Sequence, residues 1–402
     1  MLLSKGKIIT AYYYIALIAF ALSACAVMFE QESSGGIAYT NFIIAFAFMV
    51  WSVFVLRPFT KDYLIEIPSK TIIFFNLYMT WVLLVTAINP VGVEGISSYL
   101  NSLFWSAFPI LILNSTYYFV LHKGDSRWLK IIFLVITALF LLTYYSFYDV
   151  DNILMNVHLG SSYYSLYMLP LVLVYPSKIG KTCLTIIVSL AVFSSVKRGG
   201  VLALALAMIA YIITNQLVSK QGKFKKIIIG FCVLTAFIAI FAYIGTMGDN
   251  NIFERFESIQ EDNGSGRTDV WAEAWRLITE QGIFTYFVGN GFNTVVHNSR
   301  YVLSAHNDYL EAWFDFGLIG MLLYIISLCL LFKDIFECLK TKKEYAPAMS
   351  VLGALIIVLT MISHIAIYYW FNVIVLCIAY FEGRYNREKR QLTEKEEEED
   401  NE

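Results

Sequence analysis

The feature that most limits how this chain can fold is the blocking of its apolar residues into runs close to the roughly 20 residues a helix needs to cross a hydrocarbon core. Twelve such runs can be drawn, at about 8–28, 37–56, 71–88, 100–121, 128–148, 159–175, 179–195, 200–218, 226–247, 309–332, 348–367 and 369–382. Apolar side chains make up 58% of the 402 residues and charged ones 15%, well below the roughly 25% charge of a soluble domain. A water-soluble fold is excluded on those numbers. The expected class is an all-α polytopic membrane protein of about twelve transmembrane helices. The first run follows Lys5 and Lys7 and has no small-residue cleavage site ahead of a soluble domain, so it reads as a retained span.

With the N-terminus inside, six of the 29 Lys and Arg residues fall outside and 23 inside, the asymmetry of the positive-inside rule. The chain then divides into spans one to nine (1–247), a large periplasmic loop (248–308), spans ten to twelve (309–383) and a charged cytoplasmic tail (384–402) that reads as disordered. Both termini are cytoplasmic in this reading. The six cysteines all lie in spans or on the inner side, and no His/Cys cluster has metal-ligand spacing. Neither a disulfide framework nor a metal site is expected, and no cofactor or nucleic-acid partner.

The six outer basic residues are Lys197, Arg198, Arg255, Arg267, Arg276 and Arg300, and His158, His297, His306 and His364 share that side. A membrane enzyme or transporter that takes an anionic ligand from outside has this distribution. Lys197 and Arg198 occupy the short turn before Gly199 and Gly200, where they either reach a wet cavity or snorkel to head groups. Arg267 precedes a short amphipathic helix, about 268–280, with Thr268 as N-cap and Val270, Trp271, Ala274, Trp275, Leu277 and Ile278 as an apolar face to lie on the membrane. Its guanidinium and the free N–H groups of the first turn either converge on an anion such as phosphate or Arg267 pairs with Asp262 or Asp269. His306 opens the tenth span. At 100° per residue, Gly317 lies about 20° from it and Gly320 about −40°, so one helix face carries the histidine above two small packing residues. Tyr163, Tyr164 and Tyr167 either stack on sugars or form an interfacial aromatic belt, and the belt is the favoured reading.

Lys197-Arg198-Gly199-Gly200, Ser265-Gly266-Arg267 to Trp271, Gly289-Asn290-Gly291, and His306-Asn307 with nine residues to Gly317-x-x-Gly320 together resemble the O-antigen ligase and polymerase superfamily. The resemblance covers mainly residues 180–330, and the first seven spans match in hydropathy alone. It implies a GT-C-like membrane glycosyltransferase using an undecaprenyl-diphosphate-linked glycan as donor, with no metal or nucleotide sugar. It also implies that Arg198 and Arg267 bind the donor diphosphate and that His306 orients or deprotonates the acceptor hydroxyl. Lys197, Asn307 and Arg255 are candidate supporting residues. The acceptor is lipid A core in a ligase and another lipid-linked glycan in a polymerase. The complete His-Asn…Gly-x-x-Gly signature and the single large outer loop favour ligase. A lipid-linked oligosaccharide flippase shares the span count, but its polar groups would sit near the midplane on interrupted helices; here they gather at the outer face.

Overall fold

The computed structural model describes residues 5–29, 68–89, 95–146, 162–195, 197–219, 266–363 and 371–401. The described residues form helices and no strands: α1 (Lys5–Phe29), α2 (Lys70–Ile88), α3 (Gly95–Lys123), α4 (Arg127–Ser146), α5 (Ser162–Leu173), α6 (Lys178–Ser194), α7 (Arg198–Val218), α8 (Arg267–Glu280), α9 (Ile283–Val288), α10 (Thr294–Asn298), α11 (Asp308–Lys340), α12 (Ala346–Ile362) and α13 (Phe371–Asn401). Five of them contain a stretch long and apolar enough to cross a membrane: α2, α4, α7, α11, and residues 102–123 of α3. The expected spans 37–56 and 226–247, the loop up to residue 265 and the turn 364–370 lie outside the described residues. Of the expected span 159–175, the described part includes the 12-residue helix α5. One segment departs from expectation. The tail continues as helix to Asn401, because its Glu, Lys, Arg and Gln residues are strong helix formers and Arg390 pairs with Glu394 one turn on at 2.7 Å.

The bundle is held by apolar burial between neighbouring helices. α12 packs on α7, α13 on α3, and α11 on α2 and α12. Large rings fill the centre: Tyr78, Phe75, Phe133, Tyr167, Phe316 and Tyr324 are all almost wholly buried. The expected tyrosine belt is not at the surface. Tyr164 and Tyr167 face the core, because α5 packs between α4, α6, α12 and α13 and has few lipid-facing positions.

α11 sets the geometry of the functional end. Asn307 caps it, its Oδ1 accepting from the N–H groups of Tyr309 (3.0 Å) and Leu310 (3.2 Å). Ten residues in, the helix breaks at Gly317, with φ 70° and ψ 177°, a backbone region that only glycine adopts readily. The break frees carbonyls that a straight helix would use internally, and each finds another donor. The Phe314 carbonyl accepts from the N–H and Nδ2 of Asn290, the Asp315 carbonyl from Gly291 N–H at 2.8 Å, and the Phe316 carbonyl from Trp81 Nε1 at 2.8 Å. Gly289, at φ 99°, lies so close to α11 that an added Cβ would sit 2.4 Å from the Asp315 carbonyl oxygen. The Gly289-Asn290-Gly291 run is thus a backbone clasp on the kink.

The kink overturns the single-face reading of His306, Gly317 and Gly320. His306 has φ 50° and lies before the helix, and Gly317 interrupts it, so angles at 100° per residue do not carry across. Close approach survives in another form. A Cβ on Gly317 would meet Phe287 and Val288 backbone, and one on Gly320 would meet Phe316 Cβ and the Trp81 ring.

Candidate functional site

The amphipathic helix α8 starts one residue earlier than expected, with Gly266 as its left-handed N-cap instead of Thr268. Its buried face comprises Val270, Glu273, Ala274 and Ile278. Ala274 and Ile278 join Val295, Ala305 and Phe314 in a small core, so this face rests on the protein. Glu273 is not among the residues expected on the apolar face. It is buried because Arg276 grips it through Nε (2.9 Å) and Nη2 (2.7 Å) while the Arg300 N–H donates to it at 3.1 Å. Arg276, the first cause, then Arg300, hold this carboxyl down to about 2. Arg276 also contacts Glu280. Arg276 and Arg300 are therefore both engaged by Glu273.

A cluster forms where the start of α7, the start of α8 and the loop before α11 meet. Lys197 caps α7 by position and Arg198 is its first residue, with Nε and Nη1 buried. Gly199 and Gly200 lie under the Tyr163 ring, the Tyr163 hydroxyl meets the Gly200 backbone, and Arg267 lies within electrostatic reach of that hydroxyl. His306 is mostly enclosed. Burial first, then the charges of Arg267 and Lys197, push its imidazole down to about 4. An imidazole so placed is neutral at pH 7 and holds a proton more weakly than a free one. Asn307, a candidate supporting residue, spends its side-chain carbonyl on capping α11. Arg255 lies outside the described residues, as do His158 and His364. His297 sits in α10.

An acidic series in the first turns of α11 escaped notice in the sequence, although Asp308, Glu311 and Asp315 have the three- and four-residue spacing of one helix face. All three are buried. Asp308 accepts from Tyr324 Oη at 2.9 Å. Glu311 faces the Ser304 hydroxyl and Ala305 N–H, beside His306. Asp315 accepts from Thr294 Oγ1 (2.8 Å) and Val295 N–H (2.9 Å), which fixes the start of α10. Asp315 and Glu311 thus tie the start of α10 and the Ser304-Ala305 segment before His306 to α11.

A bundle with helices of membrane-crossing length and hydropathy, carrying at one end a neutral imidazole among basic side chains, defines an integral-membrane protein suited to hold an anion beside a base. Residues 183–325, from within α6 to the middle of α11, match the family model described as O-antigen ligase, a match that supports the O-antigen ligase superfamily for this segment. Arg198, Arg267, His306 and the Gly317 kink all fall inside the match. No curated protein matches the chain.

Proposed function

We propose that this protein transfers a glycan from an undecaprenyl-diphosphate-linked donor to an acceptor hydroxyl at the periplasmic face of a bacterial inner membrane, as an O-antigen ligase with lipid A core as acceptor. The observation that carries the reading is the neutral His306 beside Arg267 and Lys197. In the transfer, the acceptor oxygen attacks the anomeric carbon and the bond from that carbon to the phosphate oxygen breaks. The electron pair leaves with undecaprenyl diphosphate, and the acceptor proton passes to an imidazole nitrogen. Guanidinium groups of Arg198 and Arg267 bind the diphosphate and stabilise charge as it grows on the leaving group. The sequence of steps has a built-in order. A bound diphosphate offsets the Arg267 and Lys197 charges, which raises the affinity of His306 for a proton once the donor is in place. This chemistry needs neither metal nor nucleotide sugar.

A polymerase is the second reading, since the Gly266-Arg267-Thr268-Asp269-Val270-Trp271 and His306-Asn307-Asp308-Tyr309-Leu310 runs also resemble polymerases. Gel profiles of lipopolysaccharide from the wild type, a deletion strain and a His306→Ala strain separate the two. Loss of a ligase leaves long polymer on undecaprenyl diphosphate and bare core. Loss of a polymerase leaves core capped by single repeats. A wild-type profile in the His306→Ala strain refutes the catalytic assignment, and donor stranded on the cytoplasmic face points to a flippase instead.

A further inference from the structure

α2 and α11 pack against each other in opposite directions, and contacts at each end fix how their lengths match. At one end the Thr71 hydroxyl donates to Asp334. At the other, Asn89 caps α2 and donates through Nδ2 to the Gly289 carbonyl at 3.0 Å, while Gly289 lies against the Asp315 and Phe316 backbone. Between those levels, residues 72–88 and 317–332 contain no Asp, Glu, Lys or Arg. The 19 residues of α2 rise about 28 Å, which matches the roughly 30 Å of a hydrocarbon core. On the His306 side, the boundary of that core therefore falls at Asn89 and the Gly317 kink, and residues 308–316 of α11 stand beyond it.

The short helix α9 sits at this boundary, because it ends at Gly289 and its Phe287 carbonyl lies against the Gly317 kink. Its sequence, Ile283 to Val288, carries no charge. Tyr286 turns inward onto Trp313, with ring centroids 5.4 Å apart. Ile283, Phe284 and Phe287 are instead 82%, 65% and 44% exposed. At 100° per residue these three fall within one arc of about 100°, a single face of the helix. Leaving so much apolar surface in water is unfavourable, and an apolar medium is available at the same level. α11, on which α9 packs, exposes Ile319, Leu322 and Ile326 just below the kink, and α2 exposes Leu84 and Ile88 as it reaches Asn89. The exposed face of α9 continues that hydrocarbon-facing surface to its upper edge.

We infer that α9 is an interfacial foot, with Ile283, Phe284 and Phe287 inserted at the boundary between head groups and acyl chains of the lipid leaflet on the His306 side. The membrane contact expected of the α8 apolar face thus falls to its neighbour, since Ala274 and Ile278 of α8 are taken up by Val295, Ala305 and Phe314. An interfacial helix buries its apolar face about 5–10 Å into that boundary, and its depth here fixes the height of the kink above the bilayer. The test is depth-resolved quenching of the full chain in phosphatidylethanolamine and phosphatidylglycerol nanodiscs. The fluorescent residue acridonylalanine replaces Phe284, Ile283 or, as an aqueous reference, Glu396 in the exposed tail. At Phe284, a lipid nitroxide near the head group should quench about threefold more than one at the acyl methyl end, and acrylamide about fivefold less than at Glu396. The probe at Ile283 should behave alike, and it decides the question if the Phe284 variant does not fold. Acrylamide quenching equal to that at Glu396 refutes the foot. Protection from acrylamide without nitroxide quenching also refutes it, and assigns the face to a protein contact such as a second copy of the chain.

Discussion

Replacing Gly317 by alanine tests the kink on which the outer end depends. The substituted residue would have to hold φ 70° and ψ 177°, which costs about 1–3 kcal/mol for a side chain bearing Cβ. That Cβ would also stand 2.2 Å from the Phe287 carbonyl oxygen and 2.4 Å from its carbon, and backbone cannot swing aside as a flexible side chain can. Forced separation adds about 1–3 kcal/mol, for a total of about 2–6 kcal/mol. At about 2.1 cal/mol/K per residue, a chain of 402 residues loses roughly 2–7 °C of unfolding temperature. The assay is thermal unfolding of purified protein in one detergent, followed by intrinsic fluorescence. Gly282→Ala is the matched control, since Gly282 has ordinary backbone angles and only Thr285 Oγ1, at 3.8 Å, near its Cβ position. Gly317→Ala and Gly282→Ala unfolding within a degree of each other would refute the argument. A helix continuous through residue 317 would give that outcome.

Trp81→Phe keeps an aromatic ring but removes the indole N–H that donates to the Phe316 carbonyl, together with the pyrrole edge beside Gly320; differential scanning fluorimetry should show a loss equivalent to at least about 1–3 kcal/mol. Asn307→Ala should cost about 1 kcal/mol through the lost cap while leaving donor affinity intact, and Asn307→Asp should restore most of the unfolding temperature. The Glu273 carboxyl is depressed in the fold, so its contribution is complete above the ordinary carboxylate range near 4.5 and fades as pH falls toward about 2. An unfolding series from pH 6 to pH 2 should therefore show Glu273→Gln and wild type converging at the acid end. With His306 held near 4 in the free protein, kcat/KM should show no His306 ionisation between pH 5 and 8, and the corresponding pKa in kcat should move upward once donor is bound.

The helical class was legible because apolar blocking is a property of composition along the chain, and α2, α3, α4, α7 and α11 fall close to the expected runs. Of the candidate residues picked by type, Lys197 and Arg267 lie within electrostatic reach of His306. What the sequence concealed is tertiary. Nothing local distinguishes Gly317 as a kink from Gly317 as a packing residue; the distinction lies in the Asn290, Gly291 and Trp81 donors that take up the released carbonyls. Nor does the sequence show that Arg276 and Arg300 are both engaged by the buried Glu273. The depression of His306 likewise depends on enclosure by segments far apart in the chain.

The central claim is that His306, Arg267 and Arg198 form one transfer site, and the most direct measurement is single-turnover glycan transfer by purified protein in proteoliposomes, with donor binding measured in parallel. His306→Ala should slow transfer by about 10²–10⁴ while donor affinity is retained. Arg198→Lys and Arg267→Lys should each weaken donor binding, because a point charge cannot reproduce the guanidinium fork. Wild-type transfer by His306→Ala, or normal donor affinity and turnover in both arginine variants, would contradict the account.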